Sequence, residues 1–281
     1  MNAIELRDLC KNYGDFQLDH VNLTLPEGCV MGLIGENGAG KSTTIHLILD
    51  AIRADSGEIL LYGEPIGSAF PALKEDIGVV LDESCFPEML HLRDIDSIMR
   101  TAFKNWSTET FFGYTTRFGL PEKKKFKDYS RGMKMKLAIA VAMSHKARLL
   151  ILDEATSGLD PVVRDELLDL LFEFVQDEHH TILISSHITS DLEKICDYVT
   201  FMHEGRIVLS EEKDILCERL GILKCSREQL RELDQTAVLG ARESNFGAEA
   251  LVERERVPAG LIMDHASLED IIVFLSKKGE R

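Results

Sequence analysis

An apolar run, Cys29-Val30-Met31-Gly32-Leu33-Ile34, leads directly into Gly35-Glu36-Asn37-Gly38-Ala39-Gly40-Lys41-Ser42. Ser42 to Leu49 then reads as a helix. A continuous apolar run suits a strand buried on both faces of a parallel sheet. The eight residues after it match the pattern of a phosphate-binding loop at every position. Its glycines let backbone N–H groups turn inward toward phosphate oxygens, and the helix N-terminus adds a favourable dipole. This strand–loop–helix order confines the chain to an α/β fold with a nucleoside triphosphate site. Lys41 is placed to reach the β- and γ-phosphates, and Ser42 to ligate Mg²⁺.

The rest of the chain repeats that order. Ile77–Leu81, Leu149–Leu152 and Thr181–Ser185 read as strands, and Asp160-Pro161 opens a helix reaching to about Gln176. Asp160 can cap free N–H groups there, and proline fits the first helical position because its missing donor is not needed. Asp94–Phe103, Thr108–Phe118 and Gly132–Met143 carry apolar residues at helical spacing. Tyr198–His203 and Arg206–Ser210 read as a hairpin around Glu204-Gly205. Beyond Ser210 the sequence is acidic and mixed, with helix-like stretches at Arg227–Asp234 and Ser267–Ser276.

Leu149–Leu152 ends in Asp153-Glu154. Carboxylates that close a parallel strand emerge at the ligand-binding edge of the sheet. One beside Mg²⁺ and a second reaching a water are what ATP hydrolysis needs. His187 follows the strand Thr181–Ser185 and a further serine.

Composition sets limits. The net charge of −16 disfavours nonspecific binding to nucleic acid or anionic lipid, both of which need a basic surface. The Lys123-Lys124-Lys125 cluster, with Lys127, reads as a solvated helix end. No apolar run is long enough to span a bilayer, and the N-terminus has no secretory pattern. Any membrane span must then come from another chain. The six cysteines show no Cys-x-x-Cys pair, and they read as small buried residues in a reducing compartment.

One element narrows the field further. Tyr129-Ser130-Arg131-Gly132-Met133 stands between the phosphate loop and the acidic strand, and Ser157-Gly158-Leu159-Asp160 follows that strand. With these in order, residues 1–210 resemble the nucleotide-binding subunit of an ATP-binding cassette (ABC) transporter. The resemblance implies an ABC-type P-loop ATPase fold. A RecA-like parallel core would carry an antiparallel β subdomain and a helical subdomain inserted at about 85–145. Residues 211–281 would form a small α+β accessory extension.

The resemblance also implies roles. Asp153 holds Mg²⁺, Glu154 polarises the attacking water, and His187 contacts the γ-phosphate. Tyr13, about 20 residues before the loop, stacks on adenine. ATP is held by Gly35, Glu36, Asn37, Gly38, Ala39, Gly40, Lys41, Ser42 and Thr43. Ser130 and Gly132 hold the γ-phosphate of ATP on an opposite subunit, in a homodimer or a heterodimer, and Ser157–Asp160 crosses that interface. Two positions depart from the family pattern: Arg131 stands where glycine is usual, and Asp82 where a glutamine touches the metal. Asp82 is carried as a metal or near-metal residue. Tyr-Ser-Arg-Gly-Met with an acidic position 82 resembles single-cassette subunits of bacterial ABC-2 type exporters. The implied setting is cytoplasmic, peripheral on the inner face of the cell membrane, with transmembrane permease partners. The rival reading, a soluble ABC ATPase acting on the ribosome, is disfavoured by the single cassette and the acidity.

Overall fold

The computed structural model describes residues 1–67, 70–81, 86–245, 247–258 and 260–276. The chain opens with an antiparallel pair, β1 (Asn2–Asn12) and β2 (Gln17–Pro26), and turns into β3 (Val30–Ile34). The phosphate loop follows and α1 (Lys41–Ile48) leaves it. Next come β4 (Ser56–Leu61), the short β5 (Glu64–Pro65) and α2 (Phe70–Leu73), then β6 (Ile77–Val80). A helical section holds α3 (Leu92–Ala102), α4 (Thr108–Arg117) and α5 (Arg131–Met143). The chain then alternates through β7 (Leu149–Asp153), α6 (Pro161–Phe174), β8 (Thr181–Ser186), α7 (Thr189–Ile195), β9 (Tyr198–His203) and β10 (Arg206–Glu212). The last part contains α8 (Lys213–Arg219), β11 (Leu220–Cys225), α9 (Arg227–Glu232), β12 (Val238–Ser244), β13 (Gly247–Glu253), β14 (Ile262–His265) and α10 (Leu268–Ser276).

Among the described residues three sheets result. The central one has the order β10-β9-β3-β8-β7-β6, parallel throughout except for the edge strand β10. Its inner strands β3, β7 and β8 are buried on both faces, which is why they are nearly continuous apolar runs. Strand alternation splits each run. In β7, Leu149 and Ile151 face the core shared with α1 and the sheet β2-β1-β4-β5. Leu150 and Leu152 face the core shared with α5, α6 and α7. Among the described residues no helix is long and apolar enough to cross a membrane.

The helical section has its own core of Leu92, Ile95, Phe111, Phe126, Tyr129, Leu137 and Val141. α5 joins this core to the sheet, because Met135, Ile139 and Ala142 on another of its faces pack under β6 and β7. Asp96 organises the helical section from inside. Only 8% exposed, its Oδ1 accepts 2.8 Å hydrogen bonds from Trp106 Nε1 and Thr108 Oγ1. Asp96→Ala strands both donors and is expected to cost about 1–3 kcal/mol, seen as a lower denaturation midpoint.

His145, just after α5, is buried against the Phe103 ring at 4.1 Å between centroids, with Nε2 3.1 Å from the Ile77 carbonyl. Burial pushes its pKa below the usual histidine range. The unfolded chain therefore binds the proton first, and stability should decline as pH falls below about 6.5. In His145→Phe, denaturation midpoints measured between pH 8 and 5 should show a shallower decline.

Residues 211–276 add a four-stranded antiparallel sheet, β12-β13-β11-β14. One of its faces packs on α9 through Leu223, Leu230, Ala250 and Val252. On the other side Leu220, Ile222, Leu251, Leu268, Ile271 and Phe274 belong to the same core as β7, β8 and α6. Leu268 N donates to Glu193 Oε1 of α7 at 2.7 Å. The cysteines correct one expectation. Of the five described, Cys196 alone is fully buried, while Cys10, Cys29, Cys217 and Cys225 are half-buried. Each of these four thiols packs against the protein on one side and meets solvent on the other.

Candidate nucleotide site

The site forms where β3, β7 and β8 end. After Ile34 the backbone turns through Gly38 and Gly40, with φ of 86° and 109°. Side chains other than glycine's rarely adopt such angles. Gly35 is constrained by space as well: a Cβ there would stand 2.5 Å from the Met202 carbonyl oxygen. The loop is thus seated on β9 before α1 begins.

Lys41 is buried, 5% exposed. Its Nζ donates to the Gly35 carbonyl at 2.7 Å and to Glu36 O at 3.2 Å, and lies 3.3 Å from Glu154 Oε1. These loop carbonyls hold the ammonium over the place where phosphates would enter. Ser42 is exposed beside it at the start of α1.

Asp153 closes β7 and is almost fully buried. It accepts a 2.5 Å hydrogen bond from Ser185 Oγ of the adjacent β8. Glu154 comes next with φ of 52°, an uncommon angle for a side chain of this size. Two bonds from its own N–H hold it there, to Ser185 Oγ at 3.0 Å and Ser185 O at 3.2 Å. The turn aims the carboxylate inward. Oε2 lies 2.7 Å from His187 Nδ1, while the buried Oε1 accepts no hydrogen bond in spite of its nearness to Lys41.

These residues share a cavity of about 390 Å³ lined by Phe16, Glu36, Asn37, Gly38, Gly40, Lys41, Ser42, Thr43, Asp153 and Glu154. The structure therefore unites the loop, both carboxylates and, through Glu154, the histidine. Gly35 and Ala39 support the loop from beneath, since neither lines the cavity. Tyr13 is not in the lining: its ring is exposed, with Lys11 Nζ 5.5 Å from its centroid. Phe16 is the aromatic at the cavity, three residues on, and sequence reasoning missed it. Tyr13 N donates to Phe16 O at 2.8 Å, so one turn presents both rings.

Ser130 and Gly132 lie outside the cavity as well. Ser130 caps α5, its Oγ accepting from Met133 N at 3.3 Å, and Gly132 packs against Val163 at the start of α6. Asp160 caps α6 through Val163 N at 3.1 Å, with Pro161 at the first helical position as expected. Asp82 falls outside the described residues.

Comparison with known proteins places this geometry. The family model for the ABC transporter matches residues 18–157. Over 214 residues the chain is 36% identical to the lantibiotic transport ATP-binding protein SrtF of Streptococcus pyogenes, covering 75% of this chain and 91% of that protein. The chain belongs to the ABC transporter family. It is an ATP-binding subunit of that family, with the family's ATPase fold. The bacitracin transport ATP-binding protein BcrA of Bacillus licheniformis is 35% identical over 208 residues, 73% of this chain and 68% of that one. Among solved structures, cbiO1 from Clostridium perfringens, part of the ABC transporter complex cbiONQ, superposes with a TM-score of 0.66. Its sequence is 28% identical, and the match covers 77% of this chain and 91% of that one.

The site also fits a divalent cation. The Ser42 hydroxyl and the Asp153 carboxylate face one cavity as hard oxygen donors, the ligand type Mg²⁺ prefers beside phosphate. The orphaned Glu154 Oε1 marks a place where a further polar group would be stabilised.

Proposed function

We propose that this ABC subunit binds Mg²⁺–ATP in the cavity at the ends of β3 and β7, hydrolyses it, and powers export through separate transmembrane permease subunits. The observation that carries the reading is Glu154, whose carboxylate is turned into the cavity between Lys41 and His187. The backbone N–H groups of Glu36, Asn37, Gly38 and Gly40 and the Lys41 ammonium bind phosphate oxygens, on a loop that Gly35 and Ala39 support. Ser42 and Asp153 would hold Mg²⁺, which would supply positive charge against the phosphates. Ser185 keeps Asp153 in place through its hydroxyl. Glu154 accepts a proton from the attacking water, and His187 orients that carboxylate and reaches the γ-phosphate.

Ser130 and Gly132 belong to the second half of a composite site. They stand outside this chain's own cavity, so two chains facing head to tail, identical or related, would each complete the other's. Residues 1–210 act as the cassette and 211–281 as an accessory unit. Export is favoured by the roles of SrtF and BcrA in lantibiotic and bacitracin transport. Those roles also favour transport over action on the ribosome. The setting is then the inner face of the cell membrane.

Tyr13 serves as the base platform, with Phe16 as the inner wall. Tyr13→Ala should raise the KM for ATP by roughly 5- to 150-fold, about 1–3 kcal/mol, and leave kcat nearly unchanged. Copurification from detergent-solubilised membrane tests the overall reading. Recovery with a multi-spanning protein supports it, and recovery with ribosomes alone overturns it.

A further inference from the structure

The hairpin that carries Tyr13 and Phe16 is irregular at its base. Leu9 pairs with Val21 and Lys11 with Leu18, so the single residue Cys10 lies opposite two, Asp19 and His20. On a regular strand those two neighbours would point to opposite faces. Here the extra residue forms a bulge, a device that re-aims side chains. His20 takes a left-handed φ of 48° within it. The outcome is a three-residue cluster: Cys10 Sγ, an Asp19 carboxylate oxygen and a His20 ring nitrogen all lie within 4.8 Å of one another.

From this cluster we infer a binding site for one divalent ion of the Zn²⁺ type, separate from the nucleotide site. Thiolate, imidazole and carboxylate are the ligands Zn²⁺ takes, and three of them leave the fourth tetrahedral position for water. Mg²⁺ and Ca²⁺ prefer oxygen ligands throughout and are poor occupants. Surrounding groups match the chemistry. The His20 backbone N–H donates to Cys10 Sγ at 3.3 Å, which holds the sulfur toward the cluster. Arg206 pairs with Asp19 Oδ2, which leaves Oδ1 for the ion and fixes the carboxylate as outer partners of metal ligands do.

Asp19 Oδ1 and His20 Nδ1 are 2.6 Å apart in a hydrogen bond. Tetrahedral ligands around Zn²⁺ stand roughly 3.3–3.5 Å apart, so that pair opens while Cys10 closes in. The His20 side chain is 70% exposed and free to turn. On binding, Cys10 gives its proton to solvent and releases the Asp8 carbonyl, 3.6 Å away. The His20 ring carries its proton on Nε2, freeing the Nδ1 lone pair. The ion then ties β1 to β2 directly beneath the turn that presents the two aromatic rings.

The reduced, nucleotide-free full chain should be titrated with Co²⁺, whose thiolate complexes absorb strongly, and then with Zn²⁺ as competitor. One equivalent with a thiolate-to-cobalt charge-transfer band, bleached by Zn²⁺, is expected. Cys10→Ser should remove the band, and His20→Ala should weaken binding tenfold or more. Circular dichroism and ATP binding report whether the variants fold. A missing band, or a band that survives Cys10→Ser, would overturn the site. Nucleotide is absent from this titration, so its result does not depend on the ATPase reading.

Discussion

Glu154→Gln is expected to lower ATP turnover about 10²- to 10⁴-fold while leaving ATP bound. The change keeps the side chain's size and its place beside His187, but removes the carboxylate proposed to take a proton from water. General-base assistance is worth roughly 3–5 kcal/mol of the barrier. Steady-state phosphate release measures the loss. Light scattering with and without ATP measures its counterpart: a chain that binds but does not hydrolyse should collect as an ATP-dependent dimer. Turnover within tenfold of wild type would remove Glu154 from the chemistry. Identical monomer profiles in both conditions would remove the composite-site mechanism.

Lys41→Ala should act earlier, on binding. The ammonium is buried and already held by the carbonyls of Gly35 and Glu36, so little freedom is lost when phosphate arrives. Charge-assisted hydrogen bonds of this kind contribute about 1.5–3 kcal/mol each. Losing two of them should raise the Kd for ATP by roughly 100-fold or more. Titration calorimetry reads the affinity, and a thermal melt of the nucleotide-free variant separates that loss from unfolding. An affinity within tenfold of wild type would mean that Lys41 does not meet the phosphates.

The parts of the site that the sequence revealed are those tied to the central sheet. β3 and β7 must be apolar on both faces, so their ends are unambiguous, and Lys41, Asp153 and Glu154 follow from those ends. The α6 cap at Asp160 was legible for the same reason, because capping acts within one turn. Phe16 was not legible. Two aromatics three residues apart in a turn look alike in sequence, and only the folded turn seats Phe16 rather than Tyr13 in the cavity lining. α3 begins two residues earlier than its periodicity suggests, because His91 and Asp94 close a capping box ahead of the first apolar repeat. Strands β12 and β14 escaped for another reason. β12 is half-exposed along most of its length and carries Gly240, and β14 is largely exposed, so neither alternates. Gly240 is required by packing: a Cβ there would stand 2.7 Å from the Phe274 carbonyl oxygen of α10.

The core that joins β7, β8 and α6 to Phe274 has a consequence during synthesis. Translation proceeds from the N-terminus, and domains normally fold as soon as they have emerged. Here β3, β7 and β8 can pair and meet α5 and α6 once residue 186 is out, yet the part of that core completed by Leu268, Ile271 and Phe274 stays open until α10 leaves the ribosome. Nearly ninety further residues must be made in that interval. During this time the nascent cassette presents an apolar surface to solvent, so anything that slows elongation past residue 210 should make it a client of chaperones.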